Sequence, residues 1–277
     1  MWKHAIITGG SSGIGKEIAK LLAGEGSNIS IIARNSQKLE VAKVEITTHV
    51  VNLEQKIITI SADVANRLEV ENAIYQATKE VGIPDLLITA AGISYPGYFR
   101  ELPIEIFEQT MAINYFGSLY SVRAVLPVME PEKKGHIVMI SSGAGLIGIY
   151  GYTPYCPSKF AIRGLAESLR GELKLSGISV SVVYPPDTDT PQLEEENKTK
   201  PLETNYITAT SGLWSAVDMA REILRGMRKN SFVITPGLEM TLLEKLHSLL
   251  APIIQWYMDL IVMKTIKSEN TIKSENS

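Results

Sequence analysis

Thr8-Gly9-Gly10-Ser11-Ser12-Gly13-Ile14-Gly15 follows directly on the apolar run His4-Ala5-Ile6-Ile7. A short apolar strand that breaks into glycines and resumes as a helix is the signature of a turn that cradles a pyrophosphate. Gly9 permits the tight turn, Gly13 lets the backbone approach the ligand, and Gly15 allows close helix–strand packing. The amides around Ser11, Ser12 and Ile14 then open a helix whose N-terminus favours negative charge. Alone, the same string also serves as an ordinary Gly-Ser turn.

Outward from this stretch, short Val- and Ile-rich runs alternate with segments of helical period. The expected strands are His4–Thr8, Asn28–Ala33, Lys56–Ala62, Asp85–Ala90, His136–Ser141, Ser179–Tyr184 and Ser231–Thr235. Most of them lack alternating polar positions, as parallel strands covered on both faces should. The expected helices are Ile14–Ala23, Gln37–Val51, Leu68–Val81, Ile104–Met129, Tyr155–Leu175 and Ala216–Met227. Repeated βα units predict an α/β fold: a doubly wound, parallel, seven-stranded sheet with helices on both faces. Residues 1–237 form this domain. Within it, 185–213 is too long and polar for an ordinary connection and is expected to be a substrate lid. Residues 238–264 form an apolar helical segment. The last thirteen, 265–277, repeat TIKSEN twice and are expected to be a disordered tail.

Bulk properties narrow the partners. The 277 residues carry a net charge of −3 with acids and bases interspersed, which does not point to nucleic acid. The single Cys156 excludes an internal disulfide and fits a reducing compartment. The first strand begins at once, so a cytoplasmic rather than secreted protein is expected. His4, His49, His136 and His247 are scattered, and no metal-ligand spacing appears.

Cofactor choice is read at the strand ends. A site for NAD usually carries an acid after the second strand. Here Ile29–Ala33 is followed by Arg34-Asn35, and an arginine suits a 2′-phosphate, with Ser11, Ser12 and Lys38 adding hydrogen bonds or charge. NADP(H) is therefore expected. Asp63, beside Val64, ends the third strand and suits an adenine amine or caps the following helix. The small Ala91 and Gly92 after the fourth strand let the backbone lie against adenosine.

Tyr155 and Lys159 are four residues apart and share one helical face. A tyrosine phenol has a pKa near about 10, and an adjacent ammonium lowers it. Tyr155 is then the acid that protonates a ketone oxygen, and Lys159 also suits ribose hydroxyls. Ser142, thirteen residues earlier at a strand end, suits the same oxygen, with Ser141 the neighbour with which it is easily confused. Asn114 sits inside a long helix where asparagine is disfavoured, so it either perturbs the helix and holds a water near Lys159 or is merely tolerated there.

Over roughly residues 4–237 these motifs resemble the short-chain dehydrogenase/reductase family. The resemblance implies that Ser142, Tyr155, Lys159 and Asn114 form its catalytic tetrad. It also implies that Thr190 contacts the nicotinamide amide, and that Tyr155 and Lys159 help hold the cofactor. Two departures are Thr89 near a usual asparagine and Pro185-Pro186 in place of Pro-Gly. The stretch from Tyr184 to Thr204, with Ser158–Glu167 and Ile32–Asn35, is similar to a narrower group, the 3-ketodihydrosphingosine (3-dehydrosphinganine) reductases. That implies NADPH-dependent reduction of a long-chain sphingoid-base ketone, whose ammonium suits Asp187, Asp189, Glu194, Glu195 or Glu196. Another lipophilic carbonyl reductase, acting on a 3-oxoacyl thioester or steroid, shares the same chemistry; a non-catalytic NADP(H)-binding regulator is a third reading. Family resemblance implies a homo-dimer or homo-tetramer through Ile104–Met129 and Tyr155–Leu175. In the C-terminal segment, His247, Pro252, Gln255 and Asp259 argue against an autonomous spanning helix. With Trp256, Tyr257 and Lys264 it suits peripheral contact with the cytoplasmic face of a membrane, or packing on protein.

Overall fold

The computed structural model describes residues 1–208 and 212–275, with side chains as far as residue 265. Residues 209–211 of the expected lid and 276–277 of the expected tail lie outside the described residues.

Seven parallel strands make the main sheet: β1 (His4–Thr8), β2 (Asn28–Ala33), β3 (Ile57–Ser61), β4 (Leu86–Thr89), β5 (Gly135–Ile140), β6 (Ile178–Val183) and, last in sequence, β9 (Val233–Ile234). A separate two-stranded ribbon joins β7 (Thr188–Asp189) and β8 (Trp214–Ser215). The order across the main sheet is β3-β2-β1-β4-β5-β6-β9, so the winding reverses between β1 and β4. In register, Ala5 faces Ile29 on one side and Leu86 on the other. β1 is buried along its whole length, as an apolar strand covered on both faces must be.

Two hydrophobic clusters fill the two sides. On one, Ile18 and Leu22 of α1 (Gly13–Gly24), Leu39 and Ile46 of α2 (Ser36–Thr47), and Met219 and Ile223 of α9 (Ala216–Arg228) meet the sheet. On the other, the partners are Val70 and Ile74 of α3 (Arg67–Val81), Val122 and Val125 of α5 (Gly117–Met129), and Ile162 and Ala166 of α6 (Tyr155–Glu172). Asparagines start two of these helices: Asn35 Oδ1 accepts the Lys38 amide at 2.8 Å, and Asn66 caps α3 through Leu68 and Glu69.

Several expectations change. Ile104–Met129 is not one uniform helix. It comprises α4 (Ile104–Met111), a π-helical turn at Ala112–Phe116, and α5. The strand expected at Ser231–Thr235 pairs only at Val233 and Ile234. The expected lid folds into two short helices, α7 (Pro191–Asn197) and α8 (Leu202–Thr208). Thr190 starts α7 by accepting the Leu193 amide, and Pro191 supplies the fixed φ of a first helical position.

α10 (Gly237–Glu275) runs on through the TIKSEN repeat, where a disordered tail was expected. The repeat contains neither Gly nor Pro to end a helix. Within Gly237–Thr265 the mean hydropathy of the most apolar window is 1.3, which by length and composition alone is enough to cross a membrane. The four polar or breaking residues that argued against this are spaced widely enough to leave the average apolar. Met240 and Leu243 anchor the start of α10 in the core. Farther along, Leu238, Leu242, Leu246, Leu249, Ile253 and Trp256 are exposed, each three or four residues after the last, and so form one stripe.

Candidate active site

A cleft of ≈ 700 Å³ opens where the strand order reverses, at the carboxyl ends of β1 and β4. Open α/β sheets bind ligands at this position. Gly9 has φ +72, and a Cβ there would fall 2.5 Å from the Ala91 nitrogen. A Cβ on Gly15 would fall 2.5 Å from the Gly9 carbonyl oxygen, and Gly13, at φ +52, faces Thr190. Only glycines permit this turn. Ser12 stands at the N-cap of α1 without a capping side-chain bond. Ser11, Ser12 and Ile14 line the cleft, as do Val64, Ala91 and Gly92. A narrow glycine cradle beneath a helix N-terminus fits a dinucleotide pyrophosphate.

At the far end the lining residues are Arg34, Asn35 and Lys38, and β2 contributes no carboxylate. Ala62 and Val64 line the cleft, whereas Asp63 Oδ1 accepts the Ala65 amide at 3.0 Å. Nor does Asp63 cap α3, whose N-cap is Asn66. Thr190 lines the cleft, with its hydroxyl engaged at the start of α7. The Ser94 hydroxyl is buried in the same lining and lacks a hydrogen-bond partner among the described residues.

Ser142, Tyr155 and Lys159 meet at the inner end. The Tyr155 phenol shares the cleft wall with Ser142 and Gln192, whose side chains favour its charged form but do not outweigh burial. Lys159 Nζ lies 5.4 Å over the Tyr155 ring and donates to the Ile140 carbonyl at 3.1 Å. The two neighbouring serines separate cleanly: Ser141 Oγ donates to the Lys159 carbonyl at 2.9 Å, while Ser142 Oγ accepts the Ala144 amide at 3.2 Å. Cys156 Sγ accepts the Ile149 amide at 3.4 Å, and burial pushes its thiol up to about 11, so it is an unreactive neighbour.

Electrostatics here reverse one expectation. Burial, followed by the Glu196 charge, raises the Tyr155 phenol above its ordinary value, rather than Lys159 lowering it. The ammonium sits over the ring, and desolvation of a phenolate is the largest effect on the phenol. Burial also pushes Lys159 down to about 8, against the pull of Glu196. Tyr155 therefore holds its proton at neutral pH, as an acid must.

Asn114 lies on the π-turn, where its amide clamps the loop after β4. Oδ1 accepts the Ile93 amide at 2.8 Å, and Nδ2 donates to the Ile93 carbonyl and to Ser158 Oγ, both at 2.9 Å. Ser158 Oγ in turn donates to the Tyr155 carbonyl at 2.7 Å. Asn114 thus ties the cofactor-side loop to the helix that carries Tyr155 and Lys159. π-Turns often mark such sites.

Sequence reasoning missed Ser158, Tyr152 and Gln192. The Tyr152 ring lies 5.7 Å from that of Tyr155, and its hydroxyl donates to Glu196 Oε2 at 2.8 Å. Gln192 Nε2 donates to Glu196 Oε1 at 2.9 Å. The lid is held further by Tyr98, whose hydroxyl donates to the buried Glu203 at 3.0 Å, and by Thr204 Oγ1, which donates to the Tyr150 carbonyl at 2.9 Å. The only available signal was their nearness in sequence to the Tyr155 helix and within the lid.

The short chain dehydrogenase family profile matches residues 3–201. The chain is 45% identical over 251 residues to a mouse protein named 3-ketodihydrosphingosine reductase, covering 90% of this chain and 76% of that one. A Dictyostelium discoideum protein of the same name is 41% identical, covering 98% and 91%. A zebrafish protein named 3-dehydrosphinganine reductase is 43% identical, covering 90% and 76%. Among solved structures, a short-chain dehydrogenase from Sphingobium yanoikuyae in complex with NADPH superposes with a TM-score of 0.77 at 23% identity, covering 89% of this chain and 92% of its own; this likeness speaks for the fold. Profile, relatives and site geometry agree that the chain belongs to the short-chain dehydrogenase family.

Proposed function

We propose that this protein reduces the ketone of 3-ketodihydrosphingosine to dihydrosphingosine with NADPH. The observation that carries the chemistry is the buried Tyr155 phenol, one helical turn from Lys159 and in the same cleft wall as Ser142, opening onto the glycine cradle. The substrate is supported by the name of relatives up to 45% identical that align over nine-tenths of the chain. The glycine turn and Ser12 suit the pyrophosphate, and Arg34 and Lys38 suit a 2′-phosphate. When bound, NADPH supplies the hydride. Ser142 and Tyr155 polarise the ketone oxygen, and Tyr155 gives it the proton that completes the alcohol. The Lys159 ammonium offsets the charge left on Tyr155.

The exposed stripe on α10 lies against the cytoplasmic face of a membrane, where a long-chain substrate is drawn from the lipid. Trp256 and Tyr257 are both exposed, as suits side chains at headgroup depth. The exposed Phe116 and Phe160, near or on the helices α5 and α6, are the surface through which two copies pair.

The test is product analysis with purified protein in detergent micelles. Dihydrosphingosine formed from 3-ketodihydrosphingosine with NADPH, and far less with NADH, is the expected result. Turnover confined to 3-oxoacyl thioesters or steroid ketones contradicts the substrate and leaves the reductase chemistry standing.

A further inference from the structure

Five lid acids had equal standing in the sequence, but the structure separates them. Glu194 and Glu195 are exposed, and Glu195 pairs with Lys198 at 2.6 Å. Asp189 is exposed in the ribbon. Asp187 lines the cleft, but Lys200 is the cation that acts on it. Glu194, Glu195 and Glu196 all line the cleft, but Glu196 alone of the three is buried, at 7% exposed, and its charge reaches both Tyr155 and Lys159.

Its two oxygens accept from Tyr152 and Gln192, both neutral donors, and no Lys or Arg among the described residues forms an ion pair with it. A carboxylate has about four acceptor positions, so two remain. Burying a carboxylate without a direct ion-pair partner is costly, and such a group persists where something else compensates. The other buried lid acid, Glu203, is absent from the cleft lining.

We propose that Glu196 receives the ammonium group of the amino ketone and sets the preference for ketones that carry a neighbouring amine. This rests on the reading of the substrate as 3-ketodihydrosphingosine. In that molecule the ammonium is on the carbon next to the ketone. With the ketone oxygen held by Ser142 and Tyr155, the ammonium falls beside the reacting carbon. The wall there is built from Tyr152, Gln192 and Glu196. Tyr152 and Gln192 link the two subsites: the Tyr152 ring lies 5.7 Å from that of Tyr155, and both side chains donate to Glu196.

The experiment compares 3-ketodihydrosphingosine with its des-amino counterpart, 1-hydroxyoctadecan-3-one, in the same micelles with NADPH and the full chain. In Glu196→Gln the kcat/KM preference for the amino ketone should fall by about tenfold or more, as expected when a charge-assisted hydrogen bond is lost. Glu196→Asp, which keeps the charge, should retain part of the preference. A variant that slows both ketones equally overturns the proposal, because Glu196 then only positions Gln192 and Tyr155. If Glu196→Gln does not fold, the wild type decides: dihydrosphingosine should inhibit about tenfold or more tightly than octadecane-1,3-diol, and equal inhibition overturns the proposal. Wild-type protein that ignores the amino ketone but reduces other ketones removes the substrate reading itself, and the Glu196 proposal with it.

Discussion

Burial pushes the Tyr155 phenol and the Lys159 amine in opposite directions, the phenol up and the amine down to about 8. Each shift favours the neutral form of its group. Lys159 is therefore an ammonium below about pH 8 and loses that charge above it. If the ammonium supports proton delivery by Tyr155, kcat/KM for reducing 1-hydroxyoctadecan-3-one falls as pH rises through about 8. That substrate has no amine, so its own titration does not intrude. Glu196→Gln removes the carboxylate that holds the Lys159 value up, so the falling limb should move to lower pH. A flat profile in both proteins contradicts this. At the cofactor end, Arg34→Ala should raise the KM for NADPH by about tenfold or more and leave that for NADH nearly unchanged, since only the 2′-phosphate is lost as a partner. Ser142, Tyr155, Lys159 and Asn114 were legible in the sequence because helical spacing and strand ends place them. Gln192 and Tyr152 were not, and Glu196 was one of five lid acids that the sequence could not separate. Their nearness arises when a lid some forty residues along the chain folds back over the cleft, and no spacing rule reports that.

The π-turn at Ala112–Phe116 explains why a helix expected to be continuous carries an asparagine at its centre. An extra residue in one turn shifts the helical face locally but leaves the apolar pattern on either side intact, so periodicity alone reads one helix over Ile104–Met129. Asn114 was the single visible irregularity. Its amide replaces a strand partner for Ile93, satisfying both the backbone N–H and C=O of that residue. Asn114→Ala should cost about 1–3 kcal/mol in a denaturant titration, because it leaves buried backbone groups unpaired. It should also lower kcat, as the loop after β4 loses its tie through Ser158 to α6. Ser158→Ala breaks only the second half of that chain and should cost less than Asn114→Ala; an equal or larger loss would place the main constraint at Ser158. The lid elements were legible as a long polar insertion, but not as helices. Each is seven residues long, too short for a period to declare itself.

The whole molecule divides into a sheet domain, whose form follows from alternating apolar and helical segments, and a long C-terminal helix that leaves an apolar stripe uncovered. The parallel order with its reversal between β1 and β4 was legible because right-handed βα crossovers admit few alternatives. The reach of α10 beyond residue 264 was not, because the repeated TIKSEN stretch read as a polar tail. If the stripe rests on lipid, Leu249→Asp with Ile253→Asp should abolish flotation with anionic vesicles while the protein stays folded. Flotation unchanged by both charges would assign the stripe to another partner. These features converge on one claim, that Tyr155 protonates a sphingoid ketone inside this cleft. The most direct measurement is NADPH oxidation with 3-ketodihydrosphingosine by wild-type protein and by Tyr155→Phe, with the thermal upshift on adding NADPH read alongside. The account predicts turnover in the wild type, a loss of about a hundredfold or more in the variant, and an upshift in both. Turnover by Tyr155→Phe at the wild-type rate would contradict it.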